Sequence, residues 1–497
     1  MATFPPTPEQ QAIIDAFVAR KSLVIEAGAG AGKTSTLRLA AEARPGTDCL
    51  YVAYNRAIKD DAAASFPRHV TCSTAHSLAY RSIGKRYADR LKGGRMPALQ
   101  VARALGINEP LELLDGGRLV AKLAPQQIAR LVMATVARFC HGAASNIEGW
   151  CVPELAGVDP GPLEEQLRSV VVPFARRAWA DISSVDGRLP FTHDCYLKLW
   201  QLSGPRLAAE VVFLDEAQDA NRLIADVVDR QTHAQRVLVG DACQQLYAWR
   251  GAVDALSQFA ADDRLTLSQS FRFGPAIAEE ANKWLDLLDA VLRLRGFEKL
   301  KSRIDVAAAP DAILCRTNAG ALTEVMRELD AHRLVSLVGG DQQIRMLAEA
   351  AVSLKAGAGT THPELMAFEN WGQLQEYVEH DAAGSDLKVF VGLVDRLGAE
   401  VILSVCERLV PEARAHVTIS TAHKSKGREW STVRIASDFK VPGDDDTGRR
   451  KPIPRPDMML AYVTVTRAKQ VLDRGGLAWI DDYMQPAAPA KAAANGR

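Results

Sequence analysis

Eleven residues near the start of the chain, EAGAGAGKTST (26–36), pair small residues with a lysine and hydroxyls at a spacing that suits phosphate. Gly28, Ala29, Gly30, Ala31 and Gly32 let backbone N–H groups close around phosphate oxygens, and a helix opening at Lys33 adds the positive end of its dipole. Lys33 is placed to reach the β- and γ-phosphates. The Thr34 hydroxyl suits Mg²⁺, and Ser35 completes the loop. The strict pattern G-x-x-x-x-G-K-T would have glycine where this chain has Ala27. Read alone, the loop says only that a nucleotide such as ATP is bound.

A second segment supplies what hydrolysis needs. VVFLDEAQD (211–219) is an apolar run ending in two carboxylates. A carboxylate at the end of a buried strand beside the loop suits a Mg²⁺ ligand, which is Asp215. Glu216 is then placed to orient and deprotonate an attacking water. Next, VGDACQQLYAWRGA (239–252) sets Asp241 and Gln244 after another strand, followed by Tyr247, Trp249 and Arg250. Gln244 can sense a γ-phosphate while Trp249 offers a flat face to a base. Arg272 in LSQSFRFG (267–274), beside Phe271, and Arg467 in LAYVTVTRAKQ (460–470) suit arginine fingers. Taken singly, Trp249 fits a core and each arginine a surface ion pair. In this order they form one constellation.

These residues need parallel strands to hold them. SLVIEAG (22–28), CLYVAYN (49–55), VVFLDEA (211–217) and RVLVGDA (236–242) are apolar runs ending in small or acidic residues. AILCRTN (312–318), VTIST (417–421) and TVRIASD (432–438) form a later set. Near-continuous apolar strands of this kind belong to parallel sheets covered on both faces. The fold class is therefore α/β, with two units built alike. The first takes 1–88 and 206–275 and the second 276–345 and 411–480. A helical insertion at 89–205, a small helical insertion at 346–410 and a disordered tail at 481–497 complete the expected organisation.

Composition bounds the rest. The 497 residues are 47% hydrophobic and 24% charged, enough for large cores. Lys+Arg and Asp+Glu stand at 60 each, which excludes a histone-like basic coat but leaves room for a local nucleic-acid groove. No C-x-x-C pair occurs among the eight cysteines, which argues against a zinc ribbon. Scattered thiols, no long apolar run and no basic-then-apolar leader predict a cytoplasmic protein without a membrane partner.

With its motifs in order from about residue 5 to 475, the chain resembles the UvrD-like superfamily 1 DNA helicases. PTPEQ (6–10) resembles the adenine-reading glutamine motif, with Gln10 as its glutamine, and the family's loop commonly begins with alanine, as at Ala27. VAYNRA (52–57), STAHSLAY (73–80), CRTN (315–318), STAHKSKGREW (420–430) and YVTVTRA (462–468) follow the family's sequence of motifs. The resemblance implies two RecA-like domains with a 1B insertion and a reduced 2B. It implies an ATP centre of Lys33, Thr34, Asp215 and Glu216, with Gln244, Arg272 and Arg467 on the γ-phosphate. Phe271 would stack on adenine and Glu429 would touch the ribose. Tyr54, Asn55, Thr74, His76, Tyr247, Trp249, Arg250, Thr421 and His423 would line a single-strand track.

The shortness of 346–410 places the chain nearer compact branches, such as F-box helicase-like and phage or defence-associated members. The implied activity is ATP- and Mg²⁺-dependent 3′→5′ translocation on single-stranded DNA and opening of single/double-strand junctions, by a monomer or weak oligomer. The competing reading is a DNA-stimulated ATPase that senses DNA with a partner or strips proteins without processive unwinding. An RNA-directed enzyme is a third.

Overall fold

The computed structural model describes residues 5–485 except 95, 155–160, 247–254, 361, 363–364, 366–367, 369, 381–384 and 445–449, and leaves the side chains of 343, 380, 385 and 386 aside. The tail beyond 485, and Tyr247, Trp249 and Arg250, lie outside the described residues. The chain divides into two compact units: residues 1–27 with 32–267, and 28–31 with 268–497.

The first unit holds β1 (Leu23–Ala27), β2 (Cys49–Ala53), β3 (Val70–Thr74), a hairpin of β4 (Leu111–Asp115) and β5 (Arg118–Leu123), then β6 (Val211–Leu214), β7 (Gln235–Gly240) and β8 (Asp263–Leu267). Six of these form one sheet in the order β3-β2-β6-β7-β1-β8, every pairing parallel. β2 and β6 are buried along their whole length, as a doubly covered parallel sheet demands. Parallel strands joined in sequence need crossovers, supplied between β1 and β2, β2 and β3, and β6 and β7 by the helices Lys33–Glu42, Arg56–Ser65 and Arg222–Asp229. All the strands therefore end on the same edge, where open α/β sheets bind ligands.

Between β3 and β6 the helices Ala98–Leu105, Pro125–His141, Pro162–Ser183 and His193–Leu202 share one apolar core with the sheet, through residues such as Val132, Phe139, Val171, Ile182 and Trp200. This segment is not purely helical as expected, because β4 and β5 pair antiparallel within it. Gly116 and Gly117 both take positive φ, 54° and 86°, the requirement of a tight turn whose twist matches its strands.

The second unit holds β9 (Arg303–Ile304), β10 (Ala312–Cys315), β11 (Val335–Leu337), β12 (Val417–Thr421), β13 (Trp430–Ile435) and β14 (Ala468–Asp473), again parallel, in the order β11-β12-β10-β13-β14-β9. The helices Gln342–Lys355, Trp371–His380, Ser385–Leu397 and Ala399–Glu407 lie between β11 and β12. Two differences from the sequence reading stand out. Residues 268–275, grouped by sequence with the first sheet, pack in the second unit, where Ser270 N donates to Arg295 O at 2.8 Å and Gln269 Nε2 to Gly296 O at 3.0 Å. Residues 481–484, expected in a disordered tail, end the helix Ile480–Met484, because Asp481 pairs with Arg474 at 2.6 Å and with Lys283. No described helix is long and apolar enough to cross a membrane.

Candidate active site and strand track

In the first unit the candidate residues gather at the carboxyl ends of β1, β6 and β7. The helix after β1 starts at Lys33 with Gly32 at φ 75° and no side-chain cap, so its first-turn N–H groups stay available to an anion. Thr36 N donates back to Gly32 O at 2.9 Å, and Ala31 N to Gly28 O at 3.1 Å. Ser35 is exposed on the helix.

Off β6, the backbone turns sharply at Glu216, whose φ of 51° is a left-handed conformation that costs a non-glycine residue of order 1–3 kcal/mol. The turn leaves Asp215 buried, its Oδ1 accepting from Glu216 N at 2.8 Å and its Oδ2 from Thr34 Oγ1 at 3.3 Å and from the Tyr51 hydroxyl. Burial first, and Glu216 next to it, push the Asp215 carboxyl up despite Lys33. Burial and Asp215 also push the Tyr51 phenol far up, so it remains a donor. An oxygen-only pair of Thr34 and a buried carboxylate short of positive charge fits a hard dication such as Mg²⁺.

Lys33 Nζ lies 3.0 Å from Glu216 Oε1. Burial alone would lower the Lys33 pKa, but Glu216, Asp215 and Asp241 outweigh it and hold the ammonium above its usual value. Glu216 Oε2 accepts from Gln218 Nε2 at 2.5 Å, and Gln218 Oε1 accepts from Asp241 N at 3.0 Å. Asp241 Oδ2 then accepts from Gln244 Nε2 at 2.6 Å, and its Oδ1 from Cys243 N at 3.1 Å. An unbroken chain therefore runs from Lys33 through Glu216, Gln218 and Asp241 to Gln244. A Cβ at residue 240 would sit 2.2 Å from Gln218 Oε1, so Gly240 is what lets Gln218 reach Asp241. Sequence reading missed Gln218, although it stands only two residues beyond Glu216.

Gln10 lies apart from this chain. It is buried, closes the cap of the helix Pro8–Val18 by accepting from Thr7 N at 3.0 Å, and donates to Thr36 Oγ1 at 3.1 Å. It ties that helix to the Lys33–Glu42 helix.

Among the strand-track candidates, Tyr54 is exposed at the end of β2, while Asn55 and Thr74 cap the next two helices through Ile58 N at 2.9 Å and Ser77 N at 3.2 Å. Tyr54 and His76 line a cavity of about 510 Å³ that also reaches Asp215 and Glu216. His76 and His141 each place Nε2 3.4 Å from Asp194, whose carboxyl those two imidazoles hold far below the usual range. His141 and Asp194 come from the insertion and belong to none of the motifs read from the sequence.

The second unit gathers the other set. Phe271 N donates to Gly30 O at 2.9 Å and Ala29 N to the Tyr462 hydroxyl at 3.2 Å, so the loop tip Gly28–Ala31 groups here. A Cβ on Gly30 would meet Arg272 Cβ at 2.6 Å, and one on Gly28 would meet Leu294 at 2.2 Å. Arg272 Nε donates to Glu429 Oε2 at 2.6 Å and its Nη1 to Thr466 O at 3.1 Å. Burial raises the Glu429 carboxyl, but Arg272 overrides it and the net direction is down. Arg467 is buried and donates to Val463 O at 2.8 Å, Arg428 O at 3.3 Å and Thr466 Oγ1 at 3.0 Å. Phe271 is exposed, 5.6 Å from the Phe297 ring. At the end of β12, Thr421 Oγ1 accepts from Lys424 N at 3.4 Å, and burial, then Arg316, lower the His423 pKa.

The fold is α/β, two parallel sheets flanked by helices, the architecture of RecA-like P-loop domains, with Lys33 and Thr34 beside the carboxylates of Glu216 and Asp215. Residues 10–250 match the AAA domain family. Over 94% of its length the chain is similar to F-box DNA helicase protein 1 of Schizosaccharomyces pombe, with 28% identity and 57% of that protein covered. It is also similar, over the same share, to F-box DNA helicase 1 of Gallus gallus, with 30% identity and 48% covered. The chain spans about half the length of the curated relatives it matches.

Proposed function

We propose that the protein is an ATP-dependent DNA helicase that moves 3′→5′ along single-stranded DNA and opens single/double-strand junctions. The observation that carries this reading is the hydrogen-bonded chain from Glu216 through Gln218 and Asp241 to Gln244. It links the residue suited to activate water to a segment whose sequence continues into Tyr247, Trp249 and Arg250. A strand stacked on that segment can thereby shift Gln244 and reorient Glu216, so that turnover follows strand movement. The similarity to two F-box DNA helicases supports the choice of DNA.

In the chemistry we propose, Lys33 releases Glu216 when phosphates compete for the ammonium. Glu216 is then free to take the proton of the attacking water. Mg²⁺, when bound by Thr34 and Asp215, supplies charge for the phosphate oxygens. Arg272 and Arg467 would contact the γ-phosphate and stabilise its transfer. Phe271 would hold adenine and Glu429 the ribose, while Tyr54, Asn55, Thr74, His76, Thr421 and His423 would carry the strand.

Strand displacement on duplexes with 3′ or 5′ tails tests the proposal. Opening of the 3′-tailed substrate alone is expected, and opening of the 5′-tailed one alone would reverse the polarity. The short run of helices between β11 and β12 favours a second reading, a DNA-stimulated ATPase that displaces proteins without processive unwinding. ATP turnover stimulated by single strands with neither duplex opened would favour it.

A further inference from the structure

The second unit carries another cavity, of about 290 Å³, whose lining includes none of the residues assigned above to nucleotide. It opens beside the carboxyl ends of β10 and β13, where Arg316 and Phe439 follow the strands. Trp284 lines it, is 1% exposed, and its indole N–H has no hydrogen-bond partner among the described residues. A buried donor without an acceptor is costly, so it points to an acceptor that arrives with a ligand. Trp479 stands edge-on to Trp284 at 5.7 Å and is partly exposed, its own N–H bonded to Phe439 O at 3.2 Å.

Charge selects the ligand class. Lys440 and Lys451 are exposed at the lining, and the one carboxylate among the described lining residues, Asp457, is paired with Arg316 at 3.0 Å. The surplus is positive. Arg316 and Asp457 are also the charged groups that bear on His423, so the cavity lies beside the proposed strand track. An acidic peptide would match the charge but not that position.

We infer that this cavity holds one nucleotide of the single strand, with its phosphate at Lys440 and Lys451, its base against Trp479, and a base acceptor on the Trp284 N–H. This rests on the strand-binding reading above. A base seated there would anchor the strand on the second unit, independently of the γ-phosphate contacts.

Anisotropy of fluorescein-labelled dT16, measured over a range of salt concentrations, tests the assignment. Trp284→Phe keeps an aromatic ring at the site and removes the donor. It should weaken binding about five- to tenfold, the worth of one hydrogen bond, with the salt dependence unchanged. Lys440→Ala with Lys451→Ala should flatten the slope of log K against log salt by about 0.7, the share of the one phosphate the two lysines would neutralise on a single strand. DNA-free ATP turnover should not change in either variant. Wild-type affinity and slope in both variants, with dT16 still bound by the native protein, would overturn the pocket alone. A native protein that fails to bind dT16 would overturn the strand reading and the pocket together. If Trp284→Phe melts early, the exposed lysines still decide. A labelled oligoglutamate whose binding is lost in the variants while dT16 binding persists would assign the cavity to a protein partner and refute the inference.

Discussion

Replacing Gln218 by leucine removes both links that tie Glu216 to Asp241 while nearly keeping the side-chain volume. Gln218 is wholly buried, so the change leaves the Asp241 N–H without its acceptor, at a cost of about 1–3 kcal/mol. Glu216 keeps Lys33 at 3.0 Å and some solvent, so its own loss adds little to stability. For a unit of this size, the melting temperature should fall by about 2–12 °C. Catalysis should suffer differently. Glu216 retains its charge but loses the amide that fixes one of its oxygens, so a further tenfold loss of turnover is expected, part of the roughly 10²–10⁴ a positioned base supplies. The decisive quantity is the ratio of ATP turnover with and without single-stranded DNA, in a coupled assay well below the melting temperature. If Gln218 relays strand contact to Glu216, that ratio should collapse toward one. A destabilised variant with an unchanged ratio would mean that the chain of hydrogen bonds is structural, and the coupling argument would fail.

Glu216→Gln should retain ATP binding but lower turnover by about 10²-fold or more, whereas Lys33→Ala should weaken both; a fluorescent ATP analogue and a turnover assay separate them. Near-normal turnover in the glutamine variant would remove Glu216 as the base. Arg467→Lys should cut turnover by about 10³-fold, because a point charge cannot replace a planar fork that reaches Val463, Arg428 and Thr466. A lower melting temperature with full turnover would make Arg467 a structural cation only. The pKa of Lys33 is raised above 10.5, so its pairing with Glu216 is fully present below the unfolded value and is lost only as pH rises through the higher folded one. ATP affinity should therefore show no lysine titration between pH 6 and about 10, and a break near pH 8 that disappears in Lys33→Arg would contradict this.

Legibility in the sequence followed burial. β1, β2, β6, β7, β10 and β12 were readable because parallel strands buried on both faces are mainly apolar runs, whereas β13 was readable from Val433, Ile435 and Ala436 although most of its positions are half-exposed. β3 (VTCST) and β8 (DRLTL) carry polar residues at exposed or half-exposed positions, and β9 has two residues, so no run marks them. The hairpin did leave a signal in Asp115-Gly116-Gly117, but leucine- and alanine-rich neighbours hid it. At the site, residue type and spacing exposed Lys33, Thr34, Asp215 and Glu216 because phosphate chemistry demands them locally. Gln218 was hidden because its role depends on Gly240, which lies close only once β6 and β7 pair. Asp194 and His141 reach His76 through tertiary packing alone, and no local pattern announces that. Gln10 shows the opposite case, where a motif residue stands out in sequence and its bonds in the structure are to the caps and helices around it.

Strand contact driving ATP hydrolysis is the central step of the proposed mechanism. Steady-state ATP turnover by the native protein, measured without DNA and then with saturating single-stranded oligothymidylate, addresses it directly. Turnover should be slow alone, with Lys33 holding Glu216, and should rise by at least about tenfold on adding the strand, part of the roughly 10²–10⁴ a positioned base supplies. Equal turnover in the two conditions, in a protein that demonstrably binds the strand, would contradict it.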